Sequence, residues 1–365
     1  MVGPTRRPFL GKEKLKRNEL CCKFLMLIRF SNCLVPGSTY YIFSYCTAKL
    51  GFIGCLYTTD TLRAELHCHN NYSNYRSTSS RIPFDCGVSI QDQFEAALRN
   101  AVDILFVTNH NTLDGYNQMV EYQQNHCKYG GIKVYPAEEV TINNQGHVIA
   151  FGINKDIRPG MTLEETLEEI KRQNAISCAA HPFAVSNGIR EKAGMCDMIE
   201  SFNSNNLDHF SNMVADNFAI ENRLATIAGS DSHIKSTLGR CINTIEVENN
   251  LDSVLQGMKR GKFKIEKADY VTKREVFEHA HYVLSCSNNL LLDYFLEHHP
   301  HFFRAAKWGL NSYISNPDKK LWSALGGLGL YLTKRASKKV NIKGYDPHVF
   351  EQRSWRTLIS MSLVP

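Results

Sequence analysis

The chain has 365 residues, a net charge of +6, 43% apolar and 21% charged residues. That length allows one large domain with additions or two modest ones, the composition excludes a disordered chain, and the mild charge gives no general argument for a nucleic-acid binder. Twelve cysteines, five of them before residue 60 and none in C-x-x-C spacing, exclude a small disulfide scaffold and read as mostly buried thiols in a reducing, cytoplasmic compartment.

In chain order, residues 1–19 are basic and Leu20–Thr59 hold no acidic residue. Lys23, Arg29, Pro36 and Lys49 break the apolar run there, so it falls short of the roughly 20 apolar residues of a spanning helix. Nor does it offer the clean apolar core of a signal peptide. Residues 1–62 read as an extension of unclear structure outside the main fold, with a peripheral membrane or targeting segment as the alternative.

A regular pattern begins at residue 63. "RAELHCH" reads as a strand, and Ser89 opens an amphipathic helix with Phe94, Leu98 and Ala101 at helical spacing and Asp92 placed for a capping box. "VDILFVTNH" is a near-continuous apolar run, as a buried parallel strand would be. A helix from about Leu113 to Lys128 should stop at Gly130 and Gly131. "IKVYPAEEV" and "HVIAFGI" read as strands, and Thr162 with Glu165 caps a helix reaching about Gln173. "AISCAAHP", "MIESFN", "ATIAGSDSH" and "INTIEV" supply further strands, and a helix near 252–260 closes the segment. Strands alternating with helices predict parallel pairing, and seven or eight of them favour a closed or distorted barrel over an open sheet. Residues 63–264 are therefore expected to form one α/β barrel. Residues 265–365 change to helical, aromatic and basic; from Pro300 onward there are eleven Lys or Arg against Asp318, Asp346 and Glu351. "LWSALGGLGLYLTKRASKKV" is too short in its apolar part to span a membrane, and reads as a helix covering the barrel with a solvated basic end.

The polar chemistry falls at strand ends. His67 and His69 end the first strand and His110 the second; Glu138 and Glu139 follow "KVYP"; His147 begins "HVIAFGI"; His181 ends "ISCAA"; Asp231 and His233 end "ATIAGS". Strict alternation sends His67 and His69 to one face and Leu66 and Cys68 to the other, so Cys68 is expected to pack against a helix. Each motif alone is weak, because a histidine at a strand end is usually a hydrogen-bonded structural residue. Together, at the mouth of a barrel, they make a nitrogen-rich set with carboxylates, which suits Zn²⁺, Mn²⁺ or Fe²⁺.

"ELHCHNNYSN", "FVTNHNTLDG", "PAEEVTINNQGHVIAFGI", "AAHP" and "GSDSH", in this order, resemble the PHP (polymerase and histidinol phosphatase) family over roughly residues 63–260. The resemblance implies a distorted (β/α)7 TIM-like barrel, here with a helical C-terminal extension, and two or three divalent metal ions that hydrolyse phosphoesters. It implies His67, His69, Glu139 and Asp231 as one metal site, Glu139 bridging to a second site completed by His147 and His181, and His110 with His233 in a third. Glu139 is preferred to Glu138 because it directly precedes the Val140–Thr141 step. The sequence departs from the family at Asn74, where "YSDG" has an acid, and at Asn109, where "TDH" commonly has one. The third site is accordingly expected to be weak or absent; substitution by Asp85 from a nearby loop is the less favoured alternative.

The chemistry this implies is attack of a metal-activated water on a phosphomonoester, a nucleotide or an oligonucleotide end. His233, His110 and Asp231 are placed at the reacting centre, with His233 or His110 assisting the leaving oxygen. Arg81, Arg190 and Lys235 are the candidate substrate-binding cations, and the basic C-terminal region is a candidate nucleic-acid contact. Two other readings stay open at this point: an amidohydrolase-type barrel, which also starts with H-x-H but typically carries a bridging lysine, and a non-catalytic PHP-like binding module.

Overall fold

The computed structural model describes residues 61–76, 83–143 and 146–345. The extension read at 1–62 lies outside them except for its last two residues, and so do Arg81 and the chain after Tyr345.

One nine-stranded sheet organises the first two thirds of the described chain. Its strands are β1 (Thr61–Cys68), β2 (Ile104–Val107), β3 (Lys133–Ile142), β4 (Gly146–Phe151), β5 (Ile176–Ala179), β6 (Met198–Asn203), β7 (Ala225–Gly229), β8 (Cys241–Glu246) and β9 (Lys264–Ala268), in the spatial order β7-β6-β5-β4-β3-β2-β1-β8-β9. Between them run α1 (Ile90–Arg99), α2 (Asp114–Gln124), α3 (Leu163–Arg172), α4 (Phe210–Asn222) and α5 (Leu251–Lys259). The sheet curls until its ends nearly meet. Cys68 forms a parallel bridge to Ser232 just beyond β7, and the Asp231 amide donates to the His67 carbonyl at 2.7 Å. The Asn243 side chain, on β8, stitches across to the Ala228 amide and carbonyl at 2.9 and 2.8 Å.

The α/β barrel class expected from the sequence is what the structure has, but the plain alternation of parallel strands is not. β3 and β4 form an antiparallel hairpin, β4 is also antiparallel to β5, and β8 and β9 run against their neighbours. Only three residues separate Ile142 from Gly146, far too few for a parallel crossover. The reversal places the start of β4, and with it His147, at the same mouth as the ends of the parallel strands.

Every strand from β1 to β8 contributes to one apolar cluster, including Leu66, Phe106, Ala137, Ile149, Cys178, Met198 and Ile227, plugged below by Val254 and Met258 of α5. Cys68 instead joins Leu105, Val107, Phe94 and Met119 in the layer under α1 and α2, as expected. Leu66 does not oppose His67 as strict alternation required: the β1–β2 register slips between Glu65 and Cys68, and one extra residue in β1 lets Leu66 reach the interior cluster while His67 faces the mouth.

The Thr162 capping box forms, with amides of Thr162 and Glu165 donating at 2.9 and 3.2 Å. α2 stops at Gln124, a turn before the expected end, and the Gln123 side chain secures the following turn by donating Nε2 to the Tyr129 and Ile132 carbonyls at 2.8 and 2.7 Å.

After the barrel come α6 (Lys273–Cys286), α7 (Asn288–His298), α8 (Phe303–Ser315) and α9 (Lys320–Lys343). None of the described helices is long and apolar enough to cross a membrane. α9 is fixed to the barrel by its second half: Ala336 and Val340 pack on Val185, Ser337 donates to Asp208 at 2.6 Å, and the Asn341 amide donates to the Phe183 carbonyl at 3.2 Å.

Candidate metal centre

Strand ends deliver eight sequence-predicted side chains to one mouth. His67 Nε2, His69 Nε2, Glu139 Oε2 and Asp231 Oδ1 form the tightest group: the His67–His69 separation is 3.3 Å, His69 lies 3.2 Å from Glu139 and 3.3 Å from Asp231, and His67 lies 3.5 and 3.4 Å from the same two oxygens. Four ligand atoms at about 2.1 Å from one ion, at tetrahedral corners, lie about 3.4 Å apart. The residues present therefore fit a cation of that size.

Glu139 faces two ways. Its Oε2 serves that group and lies 3.1 Å from His110 Nδ1, while Oε1 lies 2.9 Å from His147 Nδ1 and 3.0 Å from His181 Nε2. The pairing Glu139↔Ile149 puts Glu139 on the same face as interior residues, whereas Glu138, opposite Ala150, turns outward and accepts from the Ile157 amide at 3.0 Å. The neighbours differ accordingly. Burial, with the Asp156 charge adding to it, pushes Glu138 up to about 8; burial also opposes the charge on Glu139, but His147, His110 and His67 hold its carboxyl well below the usual range.

A third group joins His69, His110 and His233 to Asp85. Asp85 Oδ2 lies 3.4 Å from His110 Nε2 and 3.1 Å from His233 Nε2. The expected weakness at this position is thus met by the loop carboxylate. Asn74 does not face the centre; it holds that loop. Its Oδ1 accepts from the Asp85 and Cys86 amides at 2.7 and 2.9 Å, and its Nδ2 donates to the Cys86 carbonyl at 3.1 Å and to the Tyr282 hydroxyl at 3.2 Å. From α6, His279 Nε2 donates to the Asp85 carbonyl at 2.7 Å and Tyr282 to the Cys86 carbonyl at 2.9 Å. A position that looked like a lost ligand is a clamp.

Asn109 is likewise a positioning group. It accepts from the Asn70 amide at 2.8 Å and the Ser73 hydroxyl at 3.1 Å, and Ser73 in turn meets His69 Nδ1 at 3.1 Å. Sequence reading missed Glu200, seen only as part of an apolar run. Its Oε1 accepts from His67 Nδ1 at 2.9 Å, directing Nε2 into the cluster, and its Oε2 accepts from the His181 amide at 2.6 Å. The signal available was a carboxylate amid a buried strand. Gly229 is what lets it reach: a Cβ there would sit 1.6 Å from Glu200 Oε1 and 2.8 Å from the His67 Cβ. His181 and Asp231 have positive φ, 27° and 47°, a backbone cost typical of residues aimed into a site.

The electrostatics point the same way. Burial opposes charge on Asp231, yet His67, His69 and His233 hold its carboxyl well below the usual range. Burial also opposes charge on His233, but Asp85 and Asp231 raise it to about 10, while burial drives His110 down to about 3. Asp85, Glu139 and Asp231 stay ionised, so the cluster needs positive charge inside it, as protons or as cations. Asp85 Oδ2, His110 Nδ1, Glu139 Oε2 and His181 Nδ1 are buried without hydrogen-bond partners, which native proteins rarely tolerate.

Of the predicted substrate cations, Arg81 lies outside the described residues and the other two are engaged by neighbours. Arg190 donates to Asn341 at 3.0 Å and lies over the Phe183 ring, and Lys235 pairs with Asp92. The described cysteines are free thiols, most of them buried, and burial raises Cys68 well above the usual thiol range.

A family model described as PHP-associated matches residues 209–263, the stretch that carries Asp231 and His233. The resemblance to the PHP family holds. An uncharacterised protein of Methanocaldococcus jannaschii is 26% identical over 164 residues, 44% of this chain and 92% of that one. Among solved structures, PsfC from Pseudomonas syringae overlaps 62% of this chain and 99% of its own at 19% identity and a TM-score of 0.44. The lesion-specific endonuclease PfuEndoQ from Pyrococcus furiosus overlaps 56% of this chain and 58% of its own at 18% identity and a TM-score of 0.39. At these TM-scores the overlaps carry no argument about chemistry; the PHP reading rests on the ordered motifs, the matched segment and the site.

Proposed function

We propose that this PHP-like barrel hydrolyses phosphoesters with two or three divalent cations. The observation that carries the proposal is the sharing of ligands: Glu139 belongs to each of the groups at the mouth except the Asp85 one, and His69 and His110 link that one to the rest. Shared ligands bring neighbouring cations close together, the arrangement suited to in-line displacement at phosphorus. When bound, the cations supply charge neutralisation on phosphoryl oxygens and a water acidic enough to attack at neutral pH.

The chain's own residues do the rest. His67, His69, Glu139 and Asp231 would hold one cation; Glu139, His147 and His181 a second; Asp85, His110 and His233 a third. Glu200 and Ser73 keep His67 and His69 turned inward. His233 Nδ1 donates to the Asp231 carbonyl at 2.8 Å, which leaves Nε2 facing Asp85. Where the Asp85 group carries no cation, His233 is the protonated imidazole placed to hand a proton to the leaving oxygen. A covalent nucleophile has no support: Cys68 lies in the layer under α1 and α2, and Ser232 is fully buried. The amidohydrolase alternative lacks its bridging lysine, a place occupied by Glu139. Nearly complete ligand groups speak against a binding module without activity.

The test uses metal-stripped protein titrated with Mn²⁺ on paired chromogenic substrates, a phosphomonoester and a phosphodiester, beside Glu139→Gln. Metal-dependent turnover that vanishes in the variant is expected, and the preferred ester separates phosphatase from nuclease. No turnover by folded, metal-loaded protein overturns the proposal.

A further inference from the structure

A cleft of about 840 Å³ opens beside the centre, lined by His181 and Asp231 on one side and by Lys273, Tyr331 and Lys334 of α6 and α9 on another, with Asn205 among the loops between. The helical region therefore supplies a wall of the space that reaches the ligands. That wall is fixed where it matters. Ser337 and Asn341 tie α9 to Asp208 and Phe183, and Arg190 braces Asn341 from the barrel side.

The charges in the cleft are unevenly satisfied. Asp208 accepts from the Ser211 amide and hydroxyl at 2.8 and 3.0 Å as well as from Ser337, and Asp231 belongs to the ligand set. The two lysines have no carboxylate within 4.0 Å among the described residues. Lys273 lies over the Phe277 ring and reaches only the Ser323 carbonyl, at 3.4 Å. A flexible ammonium with no carboxylate to neutralise it, in a cleft that leads to a phosphoester centre, is suited to a second anion on the same substrate.

We propose that Lys273 and Lys334 form a subsite for that second anionic group, so that the preferred substrate is an organic phosphoester carrying another phosphate or carboxylate. The proposal rests on the phosphoesterase reading and narrows its substrate class. It also gives the C-terminal helices a role that their basic composition alone left open. The cleft volume falls in the range of sites that enclose a small organic molecule.

The experiment compares alkyl monophosphates with α,ω-alkanediol bisphosphates of matched chain length, on metal-loaded full-length protein and on Lys273→Met/Lys334→Met. Both lysines are exposed, so the double variant should fold. The wild type is expected to show a KM roughly tenfold lower for the bisphosphate at the best spacing, the value of one charge-assisted contact, and the double variant is expected to erase that ratio. Equal KM values in the wild type, or a ratio that survives the double substitution, overturn the subsite. If neither ester turns over, the phosphoesterase reading fails instead, and calorimetric titration with the bisphosphate still decides: binding that the double variant weakens about tenfold supports the subsite, and equal or absent binding overturns it.

Discussion

The barrel and the C-terminal helices are built on opposite terms. The barrel buries its charge: His67, His69 and Glu139 are fully buried, Asp231 nearly so, and Asp85 in part. The helices expose their apolar side chains: α7 and α8 bury no residue, and Phe302, Trp308, Leu325, Leu328 and Tyr331 are half exposed or more. Charge is buried only where partners or cations offset the loss of water, so the mouth is where structure has been given over to chemistry. Exposed leucines and aromatics need no such offset and constrain little. Some of the points where the two regions meet bear on the centre. α6 holds the Asp85 loop through His279 and Tyr282, its Glu275 pairs with Arg240 of the barrel, and α9 walls the cleft. Position relative to the mouth, more than burial, decides which helical residues matter.

That contrast breaks most sharply at adjacent residues. Glu139→Gln removes a charge shared by several histidines and is expected to lower metal retention and turnover by more than about a hundredfold, above the effect of losing a residue that merely supports a ligand. Glu138→Gln, one position away on the outer face, should keep full metal content by elemental analysis. Equal losses in the two variants would mean that the strand's stability, and not the ligand set, was being measured. Asp85→Asn is next in size. It should lower stoichiometry by about one equivalent while the Glu139 groups stay filled, and unchanged stoichiometry would remove Asp85 from the ligands.

The joint between the regions gives a smaller effect. The family pattern suggests that Asn74→Asp would restore a ligand. The structure says the reverse, because an aspartate loses the donor to the Cys86 carbonyl and Tyr282 and adds a charge beside Asp85. Asn74→Asp and Tyr282→Phe are both expected to weaken the Asp85 cation by roughly tenfold, read as a titration step displaced from the others. Tighter binding in Asn74→Asp would restore the reading of that position as a lost ligand.

Much of the barrel was legible because buried strands leave continuous apolar runs and caps leave local signatures. Thr162 with Glu165 is an example, and so are the six imidazoles, whose strand-end positions carry the information directly. The reversal at β4 was not legible, since "HVIAFGI" reads the same in either direction and only the short connection betrays the hairpin. The bulge in β1 was also hidden; it changes which face Leu66 takes without changing the apolar pattern. The Glu200–His67 bond and the Tyr282 contacts to Asn74 and Cys86 join residues 133 to 208 apart in sequence, which no local motif records. Arg190 and Lys235 look available in sequence because nothing local shows that Asn341 and Asp92 engage them.

The smallest effect belongs to the exposed face of the helices. Trp308 is 64% exposed on α8, and its ring only approaches Trp322, at 6.3 Å between centroids. Trp308→Gln removes little buried area and leaves no cavity, so unfolding midpoints should move by no more than about 0.5 kcal/mol equivalent, with metal content and turnover unchanged. Tyr313 supplies the matched control. It lies on the same helix but faces inward, where its hydroxyl donates to the Phe277 carbonyl at 3.2 Å and its ring meets Trp322 at 5.7 Å. Tyr313→Gln should therefore destabilise α6 and α8 together and loosen the Asp85 loop that α6 holds, so its effect on metal titration should exceed that of Trp308→Gln. If the two substitutions act alike, the helices are coupled to the barrel as one body, and the contrast between a constrained mouth and a permissive helical face is wrong.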